Sequence, residues 1–505
     1  MIKCPEEHVP IAGTHRNVWP DSTFAAEMTS DADVWLTAWL RPKRGGDLDI
    51  AQARRLGATP PLRRTYVSRE ELAKQTAADP ADVELLRRYC ARFNIAIVQS
   101  HWRSVVMSGP IDKLVQAFGA TVAIFADASG RHFRHRSKAL HVPPEIAAIL
   151  RGVFGFHQWP RSKKLGSLQR HMTPLSAREI VARYGFPDGD GSNQTVGILQ
   201  FRGEFKAADF QRCMESQGVD AALPLVKRVD NAAVAHEIET TKDLEAALDA
   251  QIIGSLASGA RIVVYEAPDD ERGFLDAIRT ATFDEELRPS VLSISYGWPE
   301  HLWTPVALEL LNELFTVAAL LGVTVLCSSG DHGAELDYDG NPHVVAPASS
   351  PFAHSCGGTV LSGEDEVAWE QTGGGFSSHF EPPPWQMAAK SIAAACNAAA
   401  GRGVPDVAAQ VQPGHRVFLD GCELAMGGTS SVAPLWAALT ARINQQLGAP
   451  VGFFVPFLYQ NTSGKLFRGV TSGTNGKYQA CAGWNPCGGL GVPVGTAIEE
   501  SLRET

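Results

Sequence analysis

The sequence predicts an α/β protein: a doubly wound parallel sheet in residues 173–505, preceded by a smaller α+β module. Three observations predict it. Apolar strands recur at residues 195–199, 261–265, 291–295 and 323–326, and stretches of helix formers separate them. Strands that are apolar on both faces need cover from both sides, which helices flanking a parallel sheet supply; functional groups then collect at the strands' C-terminal ends. The charge divides at the same boundary. Residues 1–172 hold 25 Lys+Arg and 16 Asp+Glu, a net +9, whereas residues 173–505 hold 20 and 39, a net −19.

In the N-terminal module, 33–40 and 95–100 read as strands, 81–91 and 111–118 as helices, and 122–125 as a further strand. The stretch 158–171 has no apolar periodicity and carries Arg161, Lys163, Lys164, Arg170 and His171. Such a segment is exposed and open to cleavage, or is simply a linker between domains. The expected division is therefore 1–157, a connector at 158–172, and 173–505. The run Arg131-His132-Phe133-Arg134-His135-Arg136-Ser137-Lys138 has the basic character of a nucleic-acid patch, but its aromatic content is thin and the chain as a whole is acidic, with net charge −10. Docking onto the acidic unit of the same chain accounts for it better, so no nucleic-acid partner is expected. There are no internal repeats or low-complexity tracts.

Near the C-terminus stands Gly427-Gly428-Thr429-Ser430-Ser431-Val432-Ala433-Pro434, followed by the apolar run 435–439. Small residues let a serine sit on a tight turn, Pro434 fits the first turn of a helix, and amides at a helix start can hold an oxyanion. Ser430 is the candidate nucleophile; an ordinary helix N-cap is the alternative. A serine nucleophile needs a base. Gly13-Thr14-His15 lies in a polar stretch with no apolar helix after it to carry a catalytic histidine. A better candidate is the helix predicted at 243–253, where Glu245 and Asp249 are four residues apart and share a face. Two carboxylates held that close do not both ionise readily, so one keeps a proton and works as acid or base below neutrality. Two acids on a solvated helix face are the plainer reading. Asp331 follows the strand at 323–326, at the expected end. His236-Glu237-Ile238-Glu239 lacks the second histidine of a zinc protease and reads as surface.

Together the 428–434 motif, the Glu245/Asp249 pair, Ser329-Gly330-Asp331, Gly401-Arg402-Gly403-Val404-Pro405-Asp406-Val407-Ala408 and the closing Gly483-Trp484-Asn485-Pro486-Cys487 resemble the sedolisins, the serine-carboxyl peptidases, over nearly the whole chain. The resemblance implies that Ser430 is the nucleophile, Glu245 the general base, Asp249 its orienting and proton-coupling partner, and Asp331 the oxyanion-hole acid. It implies a ferredoxin-like inhibitory prodomain, a subtilisin-like catalytic sheet, autocatalytic cleavage near 160–172, protein or peptide substrates, and an extracellular acidic setting. Glutamate is a weak base, and Asp331 must be protonated to donate to an oxyanion, so an acidic optimum is expected. Ser295-Tyr296-Gly297 would border the substrate cleft and pair with an extended peptide. Gly374 and Gly375, within a glycine run, would form a second wall or merely a flexible loop.

Several positions depart from the family pattern. Tyr296 stands in place of a tryptophan, Gln200 in place of an acid linked to the catalytic glutamate, and Val345 in place of a pocket aspartate. The hydrogen-bond network behind Glu245 is thus expected to be altered, and a preference for basic side chains at that subsite to be lost. Gly469 and Asn485 replace both aspartates of the family's calcium loop, so no calcium and no other cofactor is expected. A Cys481–Cys487 disulfide could close the loop instead. Two alternatives remain: a subtilisin-like serine protease, for which no histidine-bearing helix is placed, and a catalytically silent peptide-binding relative. Nine cysteines in 505 residues are no disulfide scaffold, the start has no apolar signal core, and no run is long enough to span a membrane.

Overall fold

A computed structural model describes residues 8–28, 33–158, 167–168, 172–201, 205–231, 243–334, 341–388, 401–461 and 465–504. Among these residues the main sheet has eight strands. In spatial order they are Leu225–Arg228, Arg261–Glu266, Thr195–Gln200, Val291–Ile294, Thr324–Ser328, His354–Ser362 and Asp365–Ala368, with Val407–Gln412 also paired to His354–Ser362. Every pairing is parallel except that of Asp365–Ala368. All four strands expected from the sequence are present, each within two residues of the expected bounds at either end.

The other four carry weaker signals for identifiable reasons. Leu225–Arg228 is a short, largely exposed edge strand. His354–Ser362 contains Gly357-Gly358, which reads as a turn. Here the glycines are needed because a Cβ would press on Pro405 at 2.7 Å and on Val411 at 2.9 Å.

The connectivity places the site. From Thr195–Gln200 the chain builds outward through Leu225–Arg228 and back to Arg261–Glu266, then crosses to Val291–Ile294 on the opposite side. Such a reversal opens a crevice at the strands' C-terminal ends. Gln200 and Ser295 sit at its two lips. Helices Asp243–Leu256 and Val432–Leu447 pack on each other and on the sheet, while Glu271–Thr282 and Pro305–Leu320 form a second packed pair.

The N-terminal module has a four-stranded antiparallel sheet in the order Ala96–Ser100, Ser104–Pro110, Asp33–Leu40, Leu150–Phe154, with helices Pro80–Ala91 and Ile111–Phe118. This is the ferredoxin-like arrangement. The strand expected at 122–125 is real but belongs to a separate three-stranded sheet, Thr23–Glu27, Thr121–Ala126 and His132–Ser137. The basic run therefore folds as a strand, and its cations are used inside the module. Arg134 donates to the carbonyls of Gly155 and Phe156, Arg136 to those of Thr14 and Lys138, and Arg131 pairs with Asp127. Hydrogen bonds within the module thus hold Arg134 and Arg136, while the charges of Asp270 and Glu271 of the acidic unit still bear on them.

Direct ion pairs between the two units come from other cations. Arg16 pairs with Glu271, Arg103 with Glu313 at 3.2 Å, and Arg151 with Glu309 at 2.9 Å and Glu313 at 2.7 Å. Arg69 caps the carbonyls of Thr282 and Pro289. The helices Glu271–Thr282 and Pro305–Leu320 are the receiving surface. Complementary charge between the two units is therefore present in the contacts themselves.

Candidate active site

Gly428 adopts φ 102° and ψ 164°, a conformation open to glycine and strained for other residues, and it turns the chain sharply into a short helical turn, Thr429–Ser431, that leads into helix Val432–Leu447. Pro434 is the third residue of that helix, where its missing N–H costs nothing. Ser430 is thereby held at the end of a buried helix, as the sequence predicts. Its Oγ donates to the Ser295 carbonyl at 3.2 Å.

The helix predicted at 243–253 runs over Asp243–Leu256. It is buried on all sides rather than amphipathic, which removes the solvated-face reading of Glu245 and Asp249; both are buried. Burial lifts the Glu245 carboxyl to about 7, opposed by the adjacent Ser430 hydroxyl. Glu245 Oε1 is buried without a hydrogen-bond partner. Burial, and then the charge of Glu245, pushes Asp249 well above the ordinary carboxyl range, opposed by the hydroxyls of Ser295 and Ser293. Both Asp249 oxygens lie 2.8 Å from Ser295 Oγ.

Asp331 sits just beyond strand Thr324–Ser328. One oxygen, Oδ1, accepts from the Thr429 amide at 2.7 Å and the Thr429 hydroxyl at 2.6 Å, while the Gly330 amide donates to Thr429 Oγ1 at 3.0 Å. Its other oxygen, Oδ2, is buried without a partner. Burial raises this carboxyl well above its usual range in spite of the two Thr429 bonds, with the charge of Glu245 adding to the rise. A protonated Asp331 thus keeps one donor uncommitted beside the Ser430 turn. Two of the turn's amides are already engaged, Thr429 N by Asp331 and Ser431 N by the Gly428 carbonyl. Thr429 as the clamp on Asp331 carries no signal beyond its place in the motif, because the partners are 98 residues apart.

The second-wall glycines are fixed rather than flexible. A Cβ on Gly373 would run into the Ser329 carbonyl, and one on Gly374 into the Pro486 carbonyl, while Gly375–Phe376 pairs with Gly403–Val404. Tyr296 is partly buried, and burial with the charges of Glu245 and Asp249 raises its phenol. Gln200 is buried at the crevice lip, opposite Glu266 in the neighbouring strand. Val345 packs on Gly297 and Gly330. His15 is exposed in the N-terminal module. His236 lies outside the described residues.

Residues 27–159 match the family model described as "Pro-kumamolisin, activation domain". The chain is 36% identical to kumamolisin of Bacillus sp. (strain MN-32), over 98% of this chain and 96% of that protein. It belongs to the sedolisin family. Tripeptidyl-peptidase 1 of Mus musculus is 26% identical over 72% of this chain and 71% of its own length. The structure of Pseudomonas sedolisin, a serine-carboxyl proteinase, superposes with a TM-score of 0.59 at 24% identity, covering 66% of this chain and 99% of that one, which establishes the fold. The chain is therefore a serine-type peptidase of the sedolisin family that carries its propeptide.

The calcium loop of the sedolisins can be tested against these residues. Asn485 is fully buried, and its Nδ2 donates to the carbonyls of Val470 at 3.0 Å, Cys481 at 2.8 Å and Gly483 at 3.3 Å. Its Oδ1 accepts from the amides of Cys487 and Gly488. An amide nitrogen occupies the centre of the carbonyl cluster, and the carboxylates that hold calcium are missing, so the residues do not fit the ion. The disulfide considered for this loop is also absent. Cys481 and Cys487 are free thiols, with Cys487 Sγ donating to the Tyr478 carbonyl. The loop is tied by the amide and needs neither staple. Among the described residues no helix is long and apolar enough to cross a membrane.

Proposed function

We propose that this sedolisin is an acid-acting serine-carboxyl endopeptidase, made as a zymogen that its own prodomain inhibits and that processes itself. Ser430 attacks the peptide carbonyl and Glu245 takes its proton. Asp249 holds and shares that proton, while protonated Asp331 stabilises the oxyanion through Oδ2. The observation that carries the reading is the buried set of Glu245, Asp249 and Asp331 around Ser430, in which the charge of Glu245 raises both aspartates, so that they hold the protons and Glu245 is left to accept one. A buried histidine would work best near neutrality; a buried glutamate that shares a proton with an aspartate works in acid.

Autoprocessing is supported by the path of the connector. Ser167–Leu168 pairs antiparallel with Met426 and Gly427, three residues ahead of the Ser430 turn's nucleophile. At about 3.3 Å per strand residue, that leaves the connector within roughly 10 Å of chain length from the serine. Most of the expected cleavage segment, 159–166 and 169–171, lies outside the described residues. We also infer that the enzyme works without calcium and acts on extended, largely apolar peptide segments in an acidic extracellular setting.

The test is hydrolysis of a denatured protein at about pH 4, before and after Ser430→Ala. Loss of all cleavage in the variant, with the precursor remaining at full length, is the expected outcome. Release of tripeptides only from the N-terminus of the substrate would replace the endopeptidase assignment with the exopeptidase one that the name of the mouse relative carries.

A further inference from the structure

Ser295 was expected at the edge of the substrate cleft, but its hydroxyl points elsewhere. Ser295 Oγ is buried, 2.8 Å from each oxygen of Asp249 and 3.1 Å from the carbonyl oxygen of Ser430, while Ser430 Oγ donates to the Ser295 carbonyl at 3.2 Å. The two serines thus hold each other reciprocally. Each uses its side chain on the other's backbone.

A hydroxyl has one proton and cannot donate to all three of these acceptors at once. With Asp249 protonated, the carboxyl O–H donates to Ser295 Oγ and the Ser295 proton is left for the Ser430 carbonyl; every group is satisfied. With Asp249 ionised, the charge-assisted bond wins, the Ser295 proton turns to the carboxylate, and the Ser430 carbonyl loses its donor. We propose that Ser295 is a positioning residue whose hydroxyl couples the protonation state of Asp249 to the backbone of the nucleophile. This rests on the roles given above to Ser430, Glu245 and Asp249.

The titratable groups that bear on the arrangement come from each element around it. Glu245 shares the Asp249 helix, Asp331 faces Glu245 from the loop after Thr324–Ser328, and the Tyr296 phenol adjoins both carboxyls with Asp269 beyond it. The Ser295 hydroxyl favours ionised Asp249, so its removal shifts the pair toward the protonated form.

The experiment uses the matured enzyme and a peptide substrate across about pH 3 to 8, with Ser295→Ala, Ser295→Thr and Ser295→Cys. Ser295→Ala is expected to lower kcat by on the order of tenfold with KM within about twofold, and to move the alkaline limb of the pH profile up by about half a unit. Ser295→Thr keeps the hydroxyl and should restore most of both. A wild-type kcat and an unmoved limb in Ser295→Ala would overturn the inference. If that variant does not fold, the comparison of Thr with Cys decides: the weak thiol donor should reproduce the shifted limb, and identical profiles would overturn the coupling. Cleavage that survives Ser430→Ala would instead bring down the underlying reading, so the two failures are distinguishable.

Discussion

Single residues of the catalytic set act as one unit, and their energetics are those of burial. Because Glu245 and Ser430 share one proton transfer, Glu245→Gln should cost nearly as much activity as Ser430→Ala, and the double variant little more; multiplicative losses in steady-state kinetics would contradict the shared mechanism. The pH dependence has a definite sign. Burial lifts Glu245 to about 7 and raises Asp249 and Asp331, so the folded enzyme keeps protons that an unfolded chain releases near pH 4. The Glu245 contribution to stability is fully present below about pH 4 and is lost as the pH rises through about 7, while those of Asp249 and Asp331 are lost as the pH rises through their own raised values. Activity should fall as the pH rises and Asp249 and Asp331 give up the protons the reaction uses, and a pH-rate profile checks this. Sequence reasoning singled out four candidate catalytic positions, and the fold brings Glu245, Asp249 and Asp331 to the neighbourhood of Ser430. The burial of the carboxylate helix and the direction of the Ser295 hydroxyl were not legible in the sequence, because spacing tells which residues share a face and not what packs against that face.

At the scale of elements, the two loops beside the serine are rigid for different reasons. The run 373–375 is built from glycine because neighbouring carbonyls leave no room for a Cβ, so Gly373→Ala should displace the Ser329–Asp331 loop and lower kcat, read as a rate loss with the melting temperature reduced by only a few degrees. The 469–488 loop is held by the Asn485 amide. Chelator, added calcium and reductant should each leave the melting temperature of the enzyme unchanged. Asn485→Asp turns two donors into acceptors that face three carbonyls, which should destabilise by on the order of 2 kcal/mol, with partial recovery on adding calcium. A melting temperature of the unaltered enzyme that drops with chelator would show that other oxygens have rebuilt the site. The loss of both aspartates was legible in the sequence. The amide that fills their place was not, since its three carbonyl partners come together only when Val470 and the 481–483 turn fold onto one side chain.

For the molecule as a whole, the sign of charge brings the two units together and buried histidines can part them. His135 and His157 face each other across 3.1 Å, His157 stacks on Trp19, and Trp19 packs edge-on against Trp298 of the catalytic unit. Burial, followed by the charge of Arg16, holds His135 down to about 4 and His157 lower than usual as well, with Arg134 and Arg136 also bearing on His157. Their depressed values mean that docking is fully supported above about pH 6.5 and weakens as the pH falls toward 4. The precursor should therefore stay at full length at pH 7 and be processed near pH 4 on a gel, and His157→Phe should move the midpoint of processing to lower pH. An unchanged midpoint would remove the histidines from the trigger. Apolar strand runs were enough to fix the class and the parallel sheet, and the Ser430 turn and the carboxylate spacing to single out candidate catalytic residues, because each is a local pattern with a physical cause within a few residues. Which cations dock the prodomain, which hydroxyl holds Asp249 and what closes the old calcium loop were decided only by the tertiary structure, because those partners are distant in sequence and their burial, which sets both their protons and their bonds, exists only once the chain is folded.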